Sequence, residues 1–333
     1  MIRVLKKDWF YSCCLFLLSV LLTVGCTGIN SGSREVTSNR PTVPSSEITT
    51  ATTERTDALR DSPKGRLRQR IEQISQAAQG RVGMTATVLE SGESASLNGN
   101  QRFPMQSVYK LPIAMAVLNQ VDQGNLMLDQ KIRIEASDIV QGSQVLDENS
   151  QGKEFSLPEL LQYMVSKSDN TACDVLLRLI GEPQRVTEYL SSLGINDIVV
   201  ANTEKELAQD LVVQYRNSAT PDAAVVLLRI LHEGRGLTKS SQALLLQWMT
   251  ETQTGLKRIK GLLPEGTVVA HKTGTSSTVN GVTAATNDVG LVTLPSGQHL
   301  AIAVFVSDSQ ATDVIREEVI AKVARAAWDE WSR

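Results

Sequence analysis

The sequence predicts an α+β fold, in which both ends of a 333-residue chain form one antiparallel sheet flanked by helices, with an all-helical lobe inserted between them. Three observations predict this arrangement. Strand-like alternation occurs early in the chain, helical spacing of apolar residues dominates the middle, and a hairpin pattern followed by an amphipathic helix closes the chain. Because strand patterns lie at both ends and helical patterns between them, one sheet completed by both ends is expected.

The folded body opens with a helix and a strand. Apolar residues at helical spacing predict the helix, and Gly80 is placed to end it. Those residues are Leu67, Ile71, Ile74 and Ala78. Apolar residues then alternate with polar ones, which predicts a strand. The strand residues are Met84, Ala86 and Val88, and a turn rich in Gly, Ser and Asn follows at 91–100.

The middle of the chain, residues 107–250, is predicted to be mainly helical. Residues 157–164 have a clear helix start, because Ser156 precedes them and the first turn contains Pro158 and Glu159. Apolar residues at helical spacing predict three further helices, at residues 172–180, 222–233 and 240–250.

The end of the chain returns to strands. Residues 267–272 have a strand-like composition, and residues 288–294 and 300–306 flank a Pro-Ser-Gly turn, which predicts a hairpin. A long amphipathic helix follows. Its predicted apolar stripe comprises Val314, Ile315, Val319, Ile320, Val323, Ala327, Trp328 and Trp331.

The first residues of the chain predict export. Basic residues near the start precede 16 mostly apolar residues at 9–24, which are too few for a membrane span of about 20 residues and typical of a signal peptide. The small residue before Cys26 resembles the bacterial lipoprotein signal, so we expect residues 1–25 to be cleaved and Cys26 to be lipidated. Plain cleavage near Gly25 and an uncleaved anchor are the alternatives.

Residues 26–63 are interpreted as a linker or lipoprotein tether. They are rich in Ser and Thr and have almost no apolar periodicity, which is typical of a solvated, flexible segment. The linker would connect Cys26 to a folded domain at 64–333. The protein is therefore expected to leave the cytoplasm, as a periplasmic protein or a membrane-anchored lipoprotein.

Composition and charge exclude several classes of protein. Hydrophobic residues make up 41% of the chain and charged residues 21%, which excludes wholesale disorder, collagen and coiled coil. The net charge of −3 predicts no binding to nucleic acid, because phosphate binding needs an excess of Lys and Arg.

Histidine and cysteine spacing argues against metal and disulfide chemistry. His232, His271 and His299 lie far apart and no Cys-x-x-Cys pair occurs, so neither a metal site nor a cofactor is expected. Cys173 is the only cysteine after residue 26, which excludes a disulfide within the body of the chain. It is interpreted as a small buried residue, with a nucleophile as the alternative.

The motif Ser107-Val108-Tyr109-Lys110 carries the first candidate chemistry. At positions i and i+3 of a helix, the Lys110 amine can reach the Ser107 hydroxyl, and a serine needs such a base to act as a nucleophile. Pro112 removes an amide from the first turn, which predicts a distorted helix start. Ser107 could instead be a simple N-cap.

A second motif, Ser168-Asp169-Asn170, contributes a hydroxyl that can relay a proton and an amide that can hold a substrate carbonyl. Ser168 could also be only the N-cap of the helix that follows.

A third motif, His271-Lys272-Thr273-Gly274-Thr275, lies on a predicted strand. Lys272 at a strand edge suits a substrate carboxylate, and Gly274 leaves room for close approach of another backbone. The alternative is a surface lysine before a turn.

These three motifs, in this order, resemble those of the class A β-lactamases and penicillin-binding proteins. Over about residues 65–333 the chain is similar to the class A serine β-lactamases, and residues 268–288 resemble the extended-spectrum, cephalosporin-hydrolysing branch. The resemblance implies the two-lobed β-lactamase/transpeptidase-like fold. It also implies a monomer without a cofactor that hydrolyses small-molecule β-lactam antibiotics through a serine acyl-enzyme and gives antibiotic resistance.

Residues 204–208, Glu-Lys-Glu-Leu-Ala, resemble the family's omega-loop segment. The resemblance implies that Glu204 activates the hydrolytic water, with Glu206 as the rival and a solvated charge run as the alternative. Ala208 replaces the Asn that helps hold this water, which puts the deacylation rate in doubt. Asn202 stands where many members have a loop-clamping Arg, which predicts a loop held differently.

The resemblance assigns the remaining roles. Ser107 attacks the lactam carbonyl, its proton goes to Lys110 or through a water to Glu204, and Ser168 passes a proton to the departing nitrogen. Asn170 orients the substrate's amide side chain.

The substrate carboxylate is assigned to Lys272, Thr273, Gly274 and Thr275, together with Arg258. The strand at 280–290 contains no Arg, so Arg258 is taken as the stand-in for the carboxylate-binding Arg of other members. An exposed Arg258 among neighbouring lysines is the alternative.

Two other functions stay open at this point. A penicillin-binding D-alanyl-D-alanine carboxypeptidase shares the serine, both lysines and the fold, but typically lacks the counterpart of Glu204. An inactive β-lactam-binding lipoprotein would not need the complete set of Ser107, Lys110, Ser168 and Lys272.

Overall fold

A computed structural model describes residues 63–209 and 212–332. The predicted signal peptide, Cys26 and nearly all of the predicted linker lie outside the described residues. None of the helices in the described ranges has both the length and the apolar character needed to cross a membrane.

The longer strands lie towards the two ends of the described chain, and most of the helices lie between them. The strands are β1 (Arg81–Val88), β2 (Ser94–Leu97), β3 (Phe103–Pro104), β4 (Lys131–Arg133), β5 (Glu154–Ser156), β6 (Ile198–Val199), β7 (Ser218–Ala219), β8 (Val269–Thr275), β9 (Thr278–Val279), β10 (Val282–Thr293) and β11 (His299–Ser309). The helices are α1 (Pro63–Ser75), α2 (Lys110–Asp122), α3 (Leu157–Ser166), α4 (Asn170–Ile180), α5 (Glu182–Ser192), α6 (Glu204–Gln209), α7 (Pro221–His232), α8 (Lys239–Thr250) and α9 (Asp313–Trp331).

The main sheet joins the two ends of the folded chain, as predicted. Its order is β2-β1-β11-β10-β8, with β9 paired to β10, and every pairing is antiparallel. The early strand β1 pairs with the late strand β11, from Arg81 opposite Ser307 to Val88 opposite Leu300. The predicted hairpin is β10–β11, and its first strand begins earlier than expected, at Val282.

The two faces of the sheet belong to two separate apolar cores. Along β11, alternate residues point to opposite faces. Ile302 and Val304 join the core formed with α1 and α9, whereas Ala303 and Phe305 join the core of the helical lobe. The strand is buried on both sides because helices cover both faces of the sheet.

The predicted start of α3 is confirmed. Ser156 and Glu159 form a reciprocal capping box, and Pro158 lies in the first turn. Cys173 is fully buried on α4, as expected of a core residue. Burial raises the pKa of its thiol well above the usual value, which does not favour a nucleophile.

Gly80 does not end the first helix, so that prediction is wrong. The left-handed residue after α1 and its terminal turn is Gln79, with φ 47°. Gly80 has a different role, because a Cβ there would lie 2.6 Å from the Ser307 carbonyl oxygen. The glycine is needed where the chain enters β1 against β11.

The apolar stripe predicted for α9 is wrong at its first residue. Val314 is 71% exposed, whereas Val319 and Ile320 are buried. Arg316 occupies the buried face instead and donates from Nε to the Thr286 hydroxyl at 2.8 Å. With 3.6 residues per turn, Arg316 shares a face with Ile320, and Val314 does not.

Candidate active site

Ser107 lies in a 3₁₀ turn, Gln106–Tyr109, that leads directly into α2. The distorted helix start expected from Pro112 is therefore present, and Ser107 is not an N-cap. The turn is fixed from the sheet, because Asn287 on β10 donates to the carbonyl oxygens of Pro104 and Met105 at 2.8 and 3.0 Å.

The Lys110 ammonium is the centre of the site. Its side chain is fully buried, and Nζ lies 2.9 Å from Ser107 Oγ and 2.8 Å from Glu204 Oε1. Nζ also lies 2.6 Å from Asn170 Oδ1 and 2.9 Å from the Ser168 carbonyl oxygen. An ammonium has only three donors, and they bind Ser107, Asn170 and the Ser168 carbonyl, so Glu204 Oε1 meets Lys110 as a close ion pair without a hydrogen bond. This arrangement allows a proton to move between Ser107, Lys110 and Glu204.

Lys272 on β8 completes the other side of the site. Its buried Nζ donates to Ser168 Oγ at 3.0 Å and to the Thr273 carbonyl at 3.0 Å. Burial, followed by the positive charge of Lys110, lowers the pKa of Lys272 to about 7. Ser168 therefore bridges two lysines, through its carbonyl to Lys110 and through its hydroxyl to Lys272.

Ser168 is not the N-cap of α4. That position belongs to Asp169, whose Oδ1 accepts from the Ala172 amide and whose Oδ2 accepts from the Val145 and Leu146 amides. Ser168 is instead in the left-handed region with φ 60°, which is strained for a serine. The cap of Asp169 holds the loop that orients Ser168 between the two lysines.

Gly274 permits β8 to reach the nucleophile turn, as predicted. A Cβ at this residue would lie 2.3 Å from the Met105 carbonyl oxygen and 3.1 Å from the Val108 amide nitrogen. Any side chain there would push apart the strand that carries Lys272 and the turn that carries Ser107.

Arg258 is buried and lies behind the end of β8. Its Nη2 donates to Thr275 Oγ1 at 2.7 Å, and its Nε pairs with Glu317 at 3.2 Å. Nη1 donates to the Gly274 and Asn287 carbonyls at 3.1 and 2.9 Å. The alternative interpretation of Arg258 as an exposed surface residue is therefore wrong.

Comparison with known proteins agrees with this geometry. The model of the β-lactamase enzyme family matches residues 66–331. The extended-spectrum β-lactamase PER-1 of Pseudomonas aeruginosa is 44% identical over 265 residues, which cover 79% of this chain and 86% of that protein. The β-lactamase VEB-1 of the same organism is 40% identical over 264 residues, 78% of this chain and 88% of that protein. The chain belongs to the class A β-lactamases.

Solved structures give the same result for the fold. A β-lactamase from Chitinophaga pinensis has a TM-score of 0.78 and 46% identity, covering 79% of this chain and 98% of that one. The TLA-1 extended-spectrum β-lactamase has a TM-score of 0.79 and 39% identity, covering 82% of this chain and 100% of that one. The predicted two-lobed fold is thus confirmed.

The omega loop of this enzyme, residues 200–217, is closed by strand pairing and by an asparagine. Strands β6 and β7 pair at its two ends. Asn217 accepts from the Ala201 and Asn202 amides at 2.8 and 2.9 Å and donates to the Asn202 carbonyl at 2.9 Å. Asn202 thus takes part in closing the loop through its backbone, and the role of Asn217 was not predicted from the sequence.

Glu204 and its rival Glu206 have different environments. Glu204 is the first residue of α6, is buried, and faces Lys110. Glu206 is exposed, and its Oε2 accepts from the Thr203 amide at 2.9 Å and from Asn202 Nδ2 at 3.1 Å. The carboxylate of Glu206 therefore secures its own loop, whereas Glu204 belongs to the buried cluster. Ala208 is exposed.

Asp174 positions Glu204 and was also missed. This residue of α4 accepts the Glu204 amide at 2.7 Å and the Lys205 amide at 3.0 Å, one on each carboxylate oxygen. Burial raises its pKa to about 6, the Glu204 carboxylate adds to that rise, and the two accepted amides oppose it. An acidic residue inside the apolar pattern of a predicted helix was the available signal.

The raised pKa of Asp174 predicts a pH-dependent stability. The folded state binds this proton more tightly than the unfolded state, so the contribution is present at low pH and is lost as the pH rises through about 6. Relative to an Asp174→Asn variant, the free energy of unfolding of the native enzyme should fall by about 2 kcal/mol between pH 4.5 and 7.5. Urea unfolding at both pH values measures this difference.

The exposed residue Asp129 provides the control for that experiment. An Asp129→Asn variant should differ from the native enzyme by the same amount at both pH values. An equally constant difference for Asp174→Asn would contradict the assigned titration.

Proposed function

We propose that the enzyme hydrolyses the β-lactam ring of penicillins and cephalosporins through an acyl-enzyme on Ser107, and so gives resistance to these antibiotics. One observation carries the assignment. The buried Lys110 ammonium lies within 2.9 Å of the Ser107 hydroxyl and 2.8 Å of the Glu204 carboxylate. The nucleophile and a carboxylate able to activate water thus share one cation.

In acylation, Ser107 Oγ attacks the lactam carbonyl and the ring C–N bond breaks. By one route, the Lys110 ammonium first passes a proton to the Glu204 carboxylate, 2.8 Å away, and the neutral amine then takes the hydroxyl proton. By the other route, the hydroxyl proton passes through a water to Glu204. Ser168 donates its proton to the departing nitrogen and regains one from Lys272, whose Nζ is 3.0 Å away. The Ser107 and Thr275 amides are assigned to the oxyanion, because donors fixed at that position stabilise the developing charge.

Substrate binding is assigned to β8 and to Asn170. Lys272 supplies positive charge for the substrate carboxylate, and Thr273, Gly274 and Thr275 line it along the strand edge. Arg258 contributes its charge and orients the Thr275 hydroxyl, to which it donates. Asn170 Oδ1 accepts from Lys110, which leaves the amide nitrogen to donate to the substrate's side-chain carbonyl.

In deacylation, Glu204 takes a proton from a water that attacks the ester carbonyl, and the bond to Ser107 Oγ breaks. Dividing the reaction into two steps in this way is covalent catalysis. Asp174 holds the Glu204 backbone and so fixes where the carboxylate lies. Ala208 offers no polar atom, so Glu204 positions the water without the usual Asn partner.

Hydrolysis of a chromogenic cephalosporin by the purified protein tests this function. We expect repeated turnover by the native enzyme and none by Ser107→Ala. Glu204→Gln should open about one equivalent of the cephalosporin ring and retain it as a stable adduct, visible in the intact mass, because acylation survives and water activation does not. Glu206→Gln is the matched control and should turn over near the native rate.

The other outcomes distinguish the alternatives. A single stoichiometric burst by the native enzyme would favour the D-alanyl-D-alanine carboxypeptidase. No adduct and no hydrolysis would favour the inactive binding lipoprotein. Rapid turnover by Glu204→Gln would contradict the role of Glu204.

The extended-spectrum branch is proposed for substrate range. PER-1 carries that description in its name and is 44% identical to this chain, and residues 268–288 resemble the same branch. We expect oxyimino-cephalosporins to be substrates.

Export and lipid anchoring are proposed from residues 1–26. A Cys26→Ser variant should remove membrane attachment while hydrolysis continues, because the lipid would be carried by the cysteine alone. Fractionation of washed membranes measures this. Attachment that is unchanged in the variant would contradict lipidation and favour an uncleaved anchor.

A further inference from the structure

A second group of chemically active side chains lies at the other end of the sheet from Ser107. Glu90, His232 and His299 each offer one ligand atom, and these three atoms lie within 4.8 Å of one another. We propose that they form a binding site for one transition-metal ion, with Zn²⁺ as the reference ion. This site is independent of the proposed hydrolysis.

Three separate parts of the fold bring these residues together. Glu90 follows β1, His232 is the last residue of α7, and His299 is the first residue of β11. Because they are distant in sequence, the spacing of the histidines gave no sign of a metal site. The expectation of no metal site rested on that spacing alone, which contains no information about residues that only the fold brings together.

The distances suit a small ion with nitrogen and oxygen ligands. Glu90 Oε1 is 2.8 Å from His299 Nδ1 and 3.8 Å from His232 Nε2. Ligands about 2.0–2.1 Å from a tetrahedral Zn²⁺ are roughly 3.3–3.4 Å apart. The two pairs that include Glu90 meet this geometry after shifts of about half an ångström. The ligand atoms of His232 and His299 lie within 4.8 Å of each other, so the two partly exposed rings must approach by up to about 1.4 Å.

The environment of His232 favours a ligand over a purely structural role. Glu90 already accepts from the His299 backbone amide and ring, both at 2.8 Å. The His232 ring makes no hydrogen bond within the described ranges, yet its centroid is 4.3 Å from that of His299. An imidazole held beside this pair without a hydrogen bond has an available nitrogen.

The donor set selects the class of ion. Two imidazoles and one carboxylate suit Zn²⁺, Cu²⁺ or Ni²⁺, whereas Ca²⁺ and Mg²⁺ prefer all-oxygen sites. Three protein ligands on a partly exposed surface leave the fourth position for water. When the ion binds, His299 coordinates it through Nδ1, and the proton of the imidazole ring resides on Nε2. The hydrogen bond between His299 Nδ1 and Glu90 Oε1 is then replaced by one bond from each of these atoms to the metal.

The charges beside the proposed metal site, and its distance from Ser107, indicate what a bound ion would change. Arg229 Nη1 lies 3.5 Å from the Leu89 carbonyl, and Glu233 follows His232, so opposite charges flank the site. On β10, Thr293 lies opposite His299 and Thr286 lies opposite Thr275. These two positions are seven residues apart, so the proposed metal site and Thr275 are separated by about 24 Å along the strand. The ion would therefore stabilise the fold without altering the chemistry at Ser107.

Calorimetric titration of the full chain with zinc chloride tests the site. His232→Gln is the principal variant, because it removes one ligand and leaves the Glu90–His299 hydrogen bonds intact. Both proteins retain the cysteines near the N-terminus, so the comparison removes zinc bound there. We expect the native chain to bind one more zinc ion per molecule than His232→Gln.

Thermal unfolding gives a second readout. With zinc at about 100 times its dissociation constant, the native midpoint should rise by about 5 °C, and that of His232→Gln should not. Without zinc the two midpoints should agree, which shows that the variant folds. The exposed residue Glu93 lies in the same turn, and Glu93→Gln should respond to zinc like the native chain.

Equal zinc stoichiometry in the native chain and His232→Gln would overturn the site. So would a zinc-induced rise in midpoint that is the same in both proteins.

Discussion

The structure depends on one buried positive charge, the ammonium of Lys110. Taking such a charge out of water costs several kcal/mol unless oppositely charged and polar groups surround it. The fold provides them from three directions, with Ser107 from the adjoining turn, Asn170 and the Ser168 carbonyl from the start of α4, and Glu204 from the omega loop. The same requirement that stabilises Lys110 assembles the reacting groups.

Backbone contacts then hold this assembly against the sheet. Gly274 lets β8 approach the nucleophile turn, Asn287 binds the carbonyls just before that turn, and Arg258 binds carbonyls of β8 and β10. Two carboxylates act in a comparable way on the other side. Asp169 caps α4, and Asp174 holds the first amides of α6. Backbone contacts and buried side chains behind the site thus fix the positions of Ser107, Lys110, Glu204 and Lys272.

Short-range patterns in the sequence made the reactive motif and several elements of the fold predictable. Ser107 and Lys110 are three residues apart, the capping box of α3 lies within four residues, and the strand pairing of β10 and β11 follows from one turn. Resemblance supplied the role of Glu204, which no local pattern could establish against Glu206.

Contacts between distant segments were not predictable. Asn217 closes the omega loop through residues about fifteen positions away, Asp174 reaches Glu204 across thirty, and Glu90 meets His299 from the far end of the chain. Burial of Arg316 in place of Val314 had the same origin, because the hydroxyl it binds belongs to another strand. Hydropathy along one helix contains no information about such partners.

The most direct test is to measure the two half-reactions separately in Lys110→Ala, by rapid quenching and intact mass. Because one cation serves both Ser107 and Glu204, formation and loss of the acyl-enzyme should each slow by about 100-fold or more. Lys205→Ala, a neighbour of Glu204 outside the buried cluster, should leave both rates near native. An adduct on Lys110→Ala that forms or disappears at the native rate would contradict the account.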